Sequence, residues 1–201
     1  MLLVIDSATA ACSAALIEGD GALVAELYEE VGRGHAERLL PMIRDLLDGL
    51  RPDDILVDCG PGSFTGVRVG LAAAHGLAIG WGLSPRGYSS MAVVAAQLGE
   101  QEVAVALHGG HGELFVQSFG ADPLRPLDAL QSLAPDAAAA AITAELVAGS
   151  GAEALVAARG WGRVVPLLPR AAGAARLPRT LASLPPRPIY GRAPDARPVN
   201  A

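Results

Sequence analysis

The chain has 201 residues, of which 51% are apolar and 4% aromatic, and its formal net charge is −6. This length suffices for one large domain or two small ones with a buried core. The acidic balance gives no basic face, so the chain by itself is not expected to hold nucleic acid through phosphate contacts. Cys12 and Cys59 lie far apart in apolar segments. This is typical of buried thiols in a reducing cytosol, not of a disulfide framework, and no metal-ligand spacing is present.

Neither apolar segment of the chain predicts a membrane protein. Residues 1–6 lack the basic start of a signal peptide and meet an aspartate early, so they predict a strand. Residues 69–85 contain no Asp, Glu, Lys or Arg, but His75 and four glycines interrupt them. A bilayer-spanning helix needs about 20 mainly apolar residues. A buried helix and a cytoplasmic location are therefore expected.

The first thirty residues predict a β-meander, with strands over residues 2–5, 12–17 and 22–28 and turns at 6–9 and 19–21. Asp6, Ser7 and Thr9 lie at the tip of the first hairpin. Their hydroxyls and backbone N–H groups could hold a phosphate or a metal-bound water. The alternative is that they only satisfy the turn, and the local pattern favours this simpler reading.

Residues 35–47 have helical periodicity. Four apolar residues of this segment share one face: Leu39, Met42, Ile43 and Leu46. A stripe this wide lies deep in its own domain or is covered by another chain, and the sequence leaves both open. Pro41 predicts a kink or a restart of the helix. His35 is interpreted as an ordinary polar residue because no second His or Cys lies near it at ligand spacing.

The stretch Gly60-Pro61-Gly62-Ser63-Phe64-Thr65-Gly66 follows an apolar strand at 55–57 and predicts a glycine turn that opens a helix. Ser63 or Thr65 can cap this helix, and such a terminus can hold an anion. An ordinary strand-to-helix turn is the alternative. Gly66, Gly70 and Ala74 recur every four residues and leave a smooth face that another helix could approach closely.

The second half predicts a reduced repeat of the first. A helix capped at residues 89–90 runs to 98, and a boundary at 99–102 separates predicted domains 1–99 and 100–201. Strands at 103–107 and 114–119 repeat the hairpin, a helix spans 135–148, and a turn at 149–151 is a remnant of an adenosine-binding turn or a degenerate loop. The proline-rich tail, with Arg187, Tyr190, Arg192 and Arg197, is expected to be extended and pinned at a few points.

Several motifs together resemble the TsaB (YeaZ) family: Asp6-Ser7-Ala8-Thr9, His35 to Met42, the glycine turn through Arg68, and residues 188–192. The resemblance is strong over the first 90 residues. It implies an α/β protein of the actin-like ASKHA fold, shared with Hsp70 and sugar kinases, with two related domains that each begin with a β-meander and a reduced second domain. Cys59 and the short second domain depart from the family pattern.

The resemblance also implies functional residues. The partner-binding residues would be His35, Leu39, Met42, Ile43, Leu46, Gly66, Val67, Gly70, Leu71 and Ala74. A vestigial or shared nucleotide site would comprise Asp6, Ser7, Thr9, Gly60, Gly62, Ser63, Thr65 and Arg68. In the related subunit TsaD a histidine pair binds the catalytic metal, and the corresponding positions are Ser90 and Val94, which are unsuited to that metal. The chain is therefore expected to have no catalytic residue and no metal site.

The function implied is that of a non-catalytic dimerisation or scaffold subunit in the synthesis of threonylcarbamoyladenosine at position 37 of tRNA. It would bind and activate TsaD together with the ATPase TsaE, could form a homodimer, and would meet tRNA only indirectly. No cofactor is expected for the chain alone, with ATP or ADP bound only in the complex. The alternatives are a stand-alone ATP-dependent phosphotransferase and, with less support, a metallopeptidase.

Overall fold

The computed structural model describes residues 1–99 and 101–191 and contains two mixed β-sheets. The first sheet has the strand order β3-β2-β1-β4-β5. Its strands are β1 (Leu2–Asp6), β2 (Ala11–Ile17), β3 (Leu23–Glu30), β4 (Asp54–Asp58) and β5 (Arg86–Tyr88). β1 pairs antiparallel with β2 and parallel with β4. The predicted β-meander is confirmed. Its first strand, β1, lies at the centre of the sheet, so its side chains are buried on both faces.

Two helices, α1 (His35–Leu47) and α2 (Phe64–Trp81), pack on one face of this sheet. Their buried side chains form one cluster with Leu3 and Ile5 of β1. The apolar stripe of α1 thus lies deep in its own domain, which decides the alternative that the sequence left open. The restart predicted at Pro41 is wrong, because α1 continues through this residue without interruption.

The opposite face of the first sheet is covered by α3 (Ser90–Gln97) and by the C-terminal segment. This segment contains a 3₁₀ helix, Ala171–Arg176. Ala171 and Ala174 pack with Val4, Ala15 and Leu56 of the sheet. The C-terminal segment, which follows the second sheet in sequence, therefore packs on the first sheet.

The second sheet has the order β11-β10-β6-β7-β8, and β9 also pairs with β7. Its strands are β6 (Val103–His108), β7 (Leu114–Gly120), β8 (Arg125–Pro126), β9 (Gln131–Leu133), β10 (Leu146–Ala148) and β11 (Arg163–Val165). β6 and β7 form the predicted second hairpin. The fold is thus the predicted α/β ASKHA type.

The helices α4 (Pro135–Ala141) and α5 (Ala152–Arg159) pack beside the second sheet. The predicted helix over 135–148 is too long, since Ile142 is already extended and Leu146–Ala148 is a strand. This strand lies between β6 and β11 and pairs with both. Pairing inside the sheet thus overrides the helix propensity of the alanine-rich segment.

The last described residues form an extended strap, residues 183–191, across the edge of the first sheet. Leu184 exchanges two backbone hydrogen bonds with Gly87 of β5, at 2.7 and 2.9 Å, and the N–H of Ile189 donates to the Cys59 carbonyl at 2.8 Å. The expected extended, pinned tail is found here. Arg192 and Arg197, which the sequence grouped with it, lie outside the described residues.

Candidate functional site

The glycine turn between β4 and α2 is built as the sequence predicts. Gly60 has φ +93°, a left-handed conformation that favours glycine. Ser63 caps α2, because its Oγ accepts a hydrogen bond from the Gly66 N–H at 3.2 Å. Thr65 is exposed on the first turn of the helix.

This turn lies in direct contact with the tip of the first hairpin. The Ser63 N–H donates to the Ala8 carbonyl at 2.6 Å, and the Ser7 hydroxyl donates to the Gly66 carbonyl at 2.9 Å. A Cβ atom at Gly62 would overlap the Ala8 carbonyl oxygen. The glycines therefore serve close packing of the two loops, and the polar groups that would grip a phosphate are bonded to each other instead.

Two aspartates meet in the core beside these loops. Asp6 ends β1 and Asp58 ends β4, which are parallel neighbours, so the carboxyl ends of both strands lie together. Asp58 accepts from the Ser90 hydroxyl, at 2.6 and 2.8 Å, and from the Gly60 N–H at 2.8 Å. Asp6 accepts from the Tyr88 hydroxyl at 3.0 Å through one oxygen, while its other oxygen has no donor among the described residues.

Burial raises the pKa of both carboxyl groups. For Asp6 the nearby charge of Asp58 adds to desolvation, and the pKa rises well above its usual value. For Asp58 desolvation also dominates, and the pKa is about 6 because hydrogen bonds from Ser90 and Gly60 oppose the rise. Asp6 is the group that keeps its proton, which lets it donate to Asp58.

Sequence reasoning placed Asp6 in this site but missed Asp58, Tyr88 and the role of Ser90. The sequence contains a signal for Asp58, because Asp6 and Asp58 each follow a short apolar strand. Such strands commonly pair in parallel, which places their carboxyl ends side by side. Ser90 was considered only as a helix cap and as a position corresponding to a metal ligand. Ser89 makes the cap instead, accepting from the Met91 N–H at 3.2 Å.

The remaining residues of the expected nucleotide site do not converge on Asp6. Thr9 accepts the Ala11 N–H within its own turn at 3.3 Å. Arg68 points to the exposed side of α2, where its guanidinium lies 3.3 Å from the centre of the Phe64 ring and donates to the Tyr190 hydroxyl at 3.0 Å. The structure thus places Asp6, Ser7, Gly60, Gly62 and Ser63 next to one another, whereas Arg68 lies on the exposed side of α2.

The residues expected to bind a partner are all buried within the chain: His35, Leu39, Met42, Ile43, Leu46, Gly66, Val67, Gly70, Leu71 and Ala74. Side chains in these positions pack the two helices onto the sheet. His35 is structural as interpreted, with Nε2 3.3 Å from the Ala11 carbonyl oxygen.

Exposed apolar residues also occur on the same two helices, although the exposed positions of α1 include the charged residues Glu37, Arg38, Arg44 and Asp45. Ile79 of α2 is 84% exposed and Leu40 of α1 is 54% exposed. Small exposed residues lie near Ile79 on its helix, namely Ala72, Gly76 and Gly80. This helix-pair surface, defined by Leu40, Ala72, Gly76, Ile79 and Gly80, has the composition of a helix-packing surface without a partner.

Metal-site and membrane features are absent from the described residues. No group of three or more His, Cys, Asp and Glu side chains that could hold a metal ion occurs in 1–99 and 101–191. Val94, one of the two positions that correspond to metal ligands in TsaD, is buried among apolar side chains that pack on the second sheet. No helix of the described part is long and apolar enough to cross a bilayer.

The second glycine turn is also a packing feature. A Cβ atom at Gly151 would lie 2.7 Å from Leu114 Cδ2, and one at Gly149 would overlap the Ala106 carbonyl oxygen. Ser150 Oγ accepts the His108 N–H at 3.1 Å. These contacts close the turn onto β6.

Comparison with known proteins identifies relatives of this chain. The family model described as TsaD, tRNA N6-adenosine threonylcarbamoyltransferase, matches residues 28–155. The tRNA threonylcarbamoyladenosine biosynthesis protein TsaB of Escherichia coli is 38% identical over 130 residues, which are 60% of this chain and 55% of that protein. The chain thus spans about half the length of the curated relatives it matches.

Solved structures extend the similarity over nearly the entire chain. A Pseudomonas aeruginosa protein described as similar to peptidase YeaZ is 31% identical, with a TM-score of 0.78, over 95% of this chain and 99% of that one. The ethanolamine utilization protein EutJ of Carboxydothermus hydrogenoformans has a TM-score of 0.50 at 16% identity, over 88% and 89% of the two chains. At this identity, the similarity to EutJ shows a common fold only.

Proposed function

Because the chain belongs to the TsaB (YeaZ) family, we propose that it is a non-catalytic subunit of the enzyme complex that makes threonylcarbamoyladenosine at position 37 of tRNA. In this proposal a TsaD-type subunit carries out the transfer, and this chain binds and activates it. A TsaE-type ATPase completes the complex, and ATP or ADP binds only there.

The internal bonding of the polar groups at the hairpin tip and the glycine turn supports a non-catalytic role. Ser7 and the Ser63 N–H are bonded within the protein, and Asp6 is fully buried. A stand-alone phosphotransferase would need these groups free to meet a phosphate. The metallopeptidase alternative has no support from the described residues, which contain no cluster of metal ligands.

The observation that carries the proposal is the exposed apolar helix-pair surface. Ile79 lies in the last turn of α2 and is 84% exposed, and an exposed apolar side chain among small residues is typical of a surface that a partner covers. The glycines and alanines around Ile79 let a second helix approach closely, so a helix pair of the TsaD-type subunit fits this surface. A second copy of this chain could cover it when that subunit is absent.

The test is co-purification of the full chain with its TsaD-type subunit. We expect Ile79→Glu and Leu40→Glu each to weaken the association at least about tenfold, because each places a charge in an apolar contact. The matched control is Leu127→Glu, which changes an exposed leucine of the second domain.

Circular dichroism of all three variants should match the wild type, since none of the three side chains is buried. Normal association of Ile79→Glu and Leu40→Glu would contradict the proposed surface. Equal loss in the Leu127→Glu control would show a non-specific effect of charge and would contradict it as well.

A further inference from the structure

An exposed group of aromatic and arginine side chains lies where α2 begins. Phe64 is 62% exposed and Tyr190 of the strap is 57% exposed, with ring centres 6.4 Å apart. Arg68 lies against Phe64 and donates to Tyr190, and Arg187 is exposed on the same strap. We call Phe64, Arg68, Arg187 and Tyr190 the aromatic–arginine patch.

The two elements that build this patch are free of acidic residues, although the chain as a whole is acidic. No Asp or Glu occurs in residues 59–99, which include α2, or in residues 154–194, which include the strap. The structure places these two stretches side by side, since His75 of α2 lies 3.2 Å from the Pro186 carbonyl oxygen. Although the net charge of the chain is −6, the charged side chains of α2 and the strap are arginines, so these two elements carry no negative charge.

This combination has a definite binding chemistry. Exposed aromatic rings stack on unpaired bases, and neighbouring arginines contact phosphates and can also stack. The first turn of α2 adds the positive end of an 18-residue helix. Rings and cations together fit single-stranded RNA better than a duplex, whose bases are already stacked.

We propose that the aromatic–arginine patch binds a single-stranded RNA loop. This rests on the proposed function, in which the loop is the anticodon loop of the tRNA that the complex modifies. The contact is direct, in contrast to the indirect contact expected from net charge. The patch adjoins the helix-pair surface, because Arg68 lies four residues before Ala72, but it is about 16 Å along the helix axis from Ile79, at the other end of α2.

The second domain supplies a matched control. Arg159 lies 3.8 Å from the centre of the exposed Trp161 ring, so it also forms an arginine–aromatic pair. Its guanidinium is bonded to the carbonyls of Trp161, Ile142 and Glu145, and its helix carries Glu153. Arg159 makes three hydrogen bonds to backbone carbonyls, whereas Arg68 makes one, to a side chain, and only the helix of Arg159 carries an acidic residue, so the Arg159–Trp161 pair is expected not to bind RNA.

The experiment measures binding of a labelled, unmodified anticodon stem-loop RNA by fluorescence anisotropy, with the full chain alone and with its TsaD-type subunit. We expect Phe64→Leu combined with Tyr190→Leu to weaken binding at least about tenfold, since each ring supplies stacking. Arg68→Gln should lower the slope of log affinity against log salt by about 0.7, as one phosphate contact is lost. Trp161→Leu should change affinity less than twofold.

Unchanged affinity of the patch variants, or equal loss of binding to a duplex RNA, would overturn the inference. Loss of co-purification with the TsaD-type subunit would overturn it too, because the patch would then be a protein interface. Arg187→Gln, a change at an exposed strap residue, serves as the additional variant if the aromatic changes prevent folding.

The inference and the proposed function can fail separately. If a reconstituted complex modifies tRNA equally well with wild-type and patch-variant chains, the inference fails and the proposed function stands. If the wild-type chain binds the stem-loop through the patch but never associates with a TsaD-type subunit, the proposed function fails.

Discussion

At the scale of single residues, the pair Asp6 and Asp58 couples the hairpin tip to the end of β4. Both side chains are buried, and desolvation raises the pKa of each. Because the folded state holds the proton more tightly than the unfolded chain, this pair favours folding at low pH. Its contribution is lost as pH rises from about 4, the usual pKa of aspartate, through the raised values.

We predict that Asp6→Asn removes much of this pH dependence. The amide can accept from Tyr88 and donate to Asp58 without needing a proton, so the variant should be more stable than the wild type at pH 8 by more than about 1 kcal/mol. Urea unfolding at pH 5 and pH 8 measures the effect. Asp45→Asn, at an exposed aspartate of α1, is the control, and a variant less stable than the wild type at pH 8 would contradict the account.

The glycines of α2 divide into two kinds. A Cβ atom at Gly70 would lie 2.6 Å from Ser7 Oγ, which is buried and bonded to Gly66, whereas one at Gly80 would meet nothing within 4 Å. Gly70→Ala should therefore destabilise the protein by roughly 1–3 kcal/mol through overpacking. Gly80→Ala should stabilise it by up to about 1 kcal/mol. Thermal unfolding of the two variants checks this, and equal midpoints would refute the distinction.

At this scale the sequence predicted the residue types of the site better than their roles. The hairpin tip, the glycine turn and the Ser63 cap follow from local turn chemistry and are found. That the Ser7 hydroxyl is bonded to the Gly66 carbonyl depends on how two loops 59 residues apart in sequence approach each other. Local patterns hold no information on that distance.

At the scale of elements, α1 is a continuous helix that tolerates a proline in its interior. Pro41 has no N–H to donate to the carbonyl of Glu37, which normally costs a helix about 3 kcal/mol. The buried stripe of Leu39, Ile43 and Leu46 holds the helix against the sheet and offsets this cost.

We predict that Pro41→Ala stabilises the protein by roughly 1–2 kcal/mol, because the missing backbone hydrogen bond is restored while the half-exposed ring buries little. Pro135→Ala, at the first position of α4, should change stability by less than about 0.5 kcal/mol, since proline is well suited there. Urea midpoints compare the two. A loss of stability in Pro41→Ala would mean that the ring is needed for packing.

The sequence also predicted which residues of α1 and α2 form stripes, but it assigned those stripes to a partner. Periodicity identifies a buried face and does not identify what buries it. Here the first sheet packs against Leu39 and Leu71, whereas the apolar residue that is most exposed on these helices is Ile79, for which periodicity gives no signal.

At the scale of the whole molecule, the C-terminal segment ties the chain together. Arg170 forms an ion pair with Glu26 of β3, the Ala171 N–H donates to Ser13 Oγ of β2 at 2.9 Å, and the strap crosses the glycine turn. The boundary predicted at residues 99–102 assigns this segment to the second domain, 100–201, and the sequence predicted that the tail is pinned but not which residues it contacts. The contacts join residues more than 140 positions apart, which no local pattern records.

The molecule that results has two different exposed surfaces on one helix. The helix-pair surface is apolar and is proposed to meet a TsaD-type subunit. The aromatic–arginine patch is proposed to meet the RNA. Because both surfaces include residues of α2, the proposal is that this chain holds a TsaD-type subunit and the RNA in one orientation.

The most direct test of this account is threonylcarbamoyl transfer to unmodified tRNA, measured with this chain alone, with TsaD- and TsaE-type subunits alone, and with all three. The account predicts no product from either incomplete set and product from the full set, with Ile79→Glu lowering the yield and Leu127→Glu leaving it unchanged. Product formed by this chain alone, or formed equally well without it, would contradict the account.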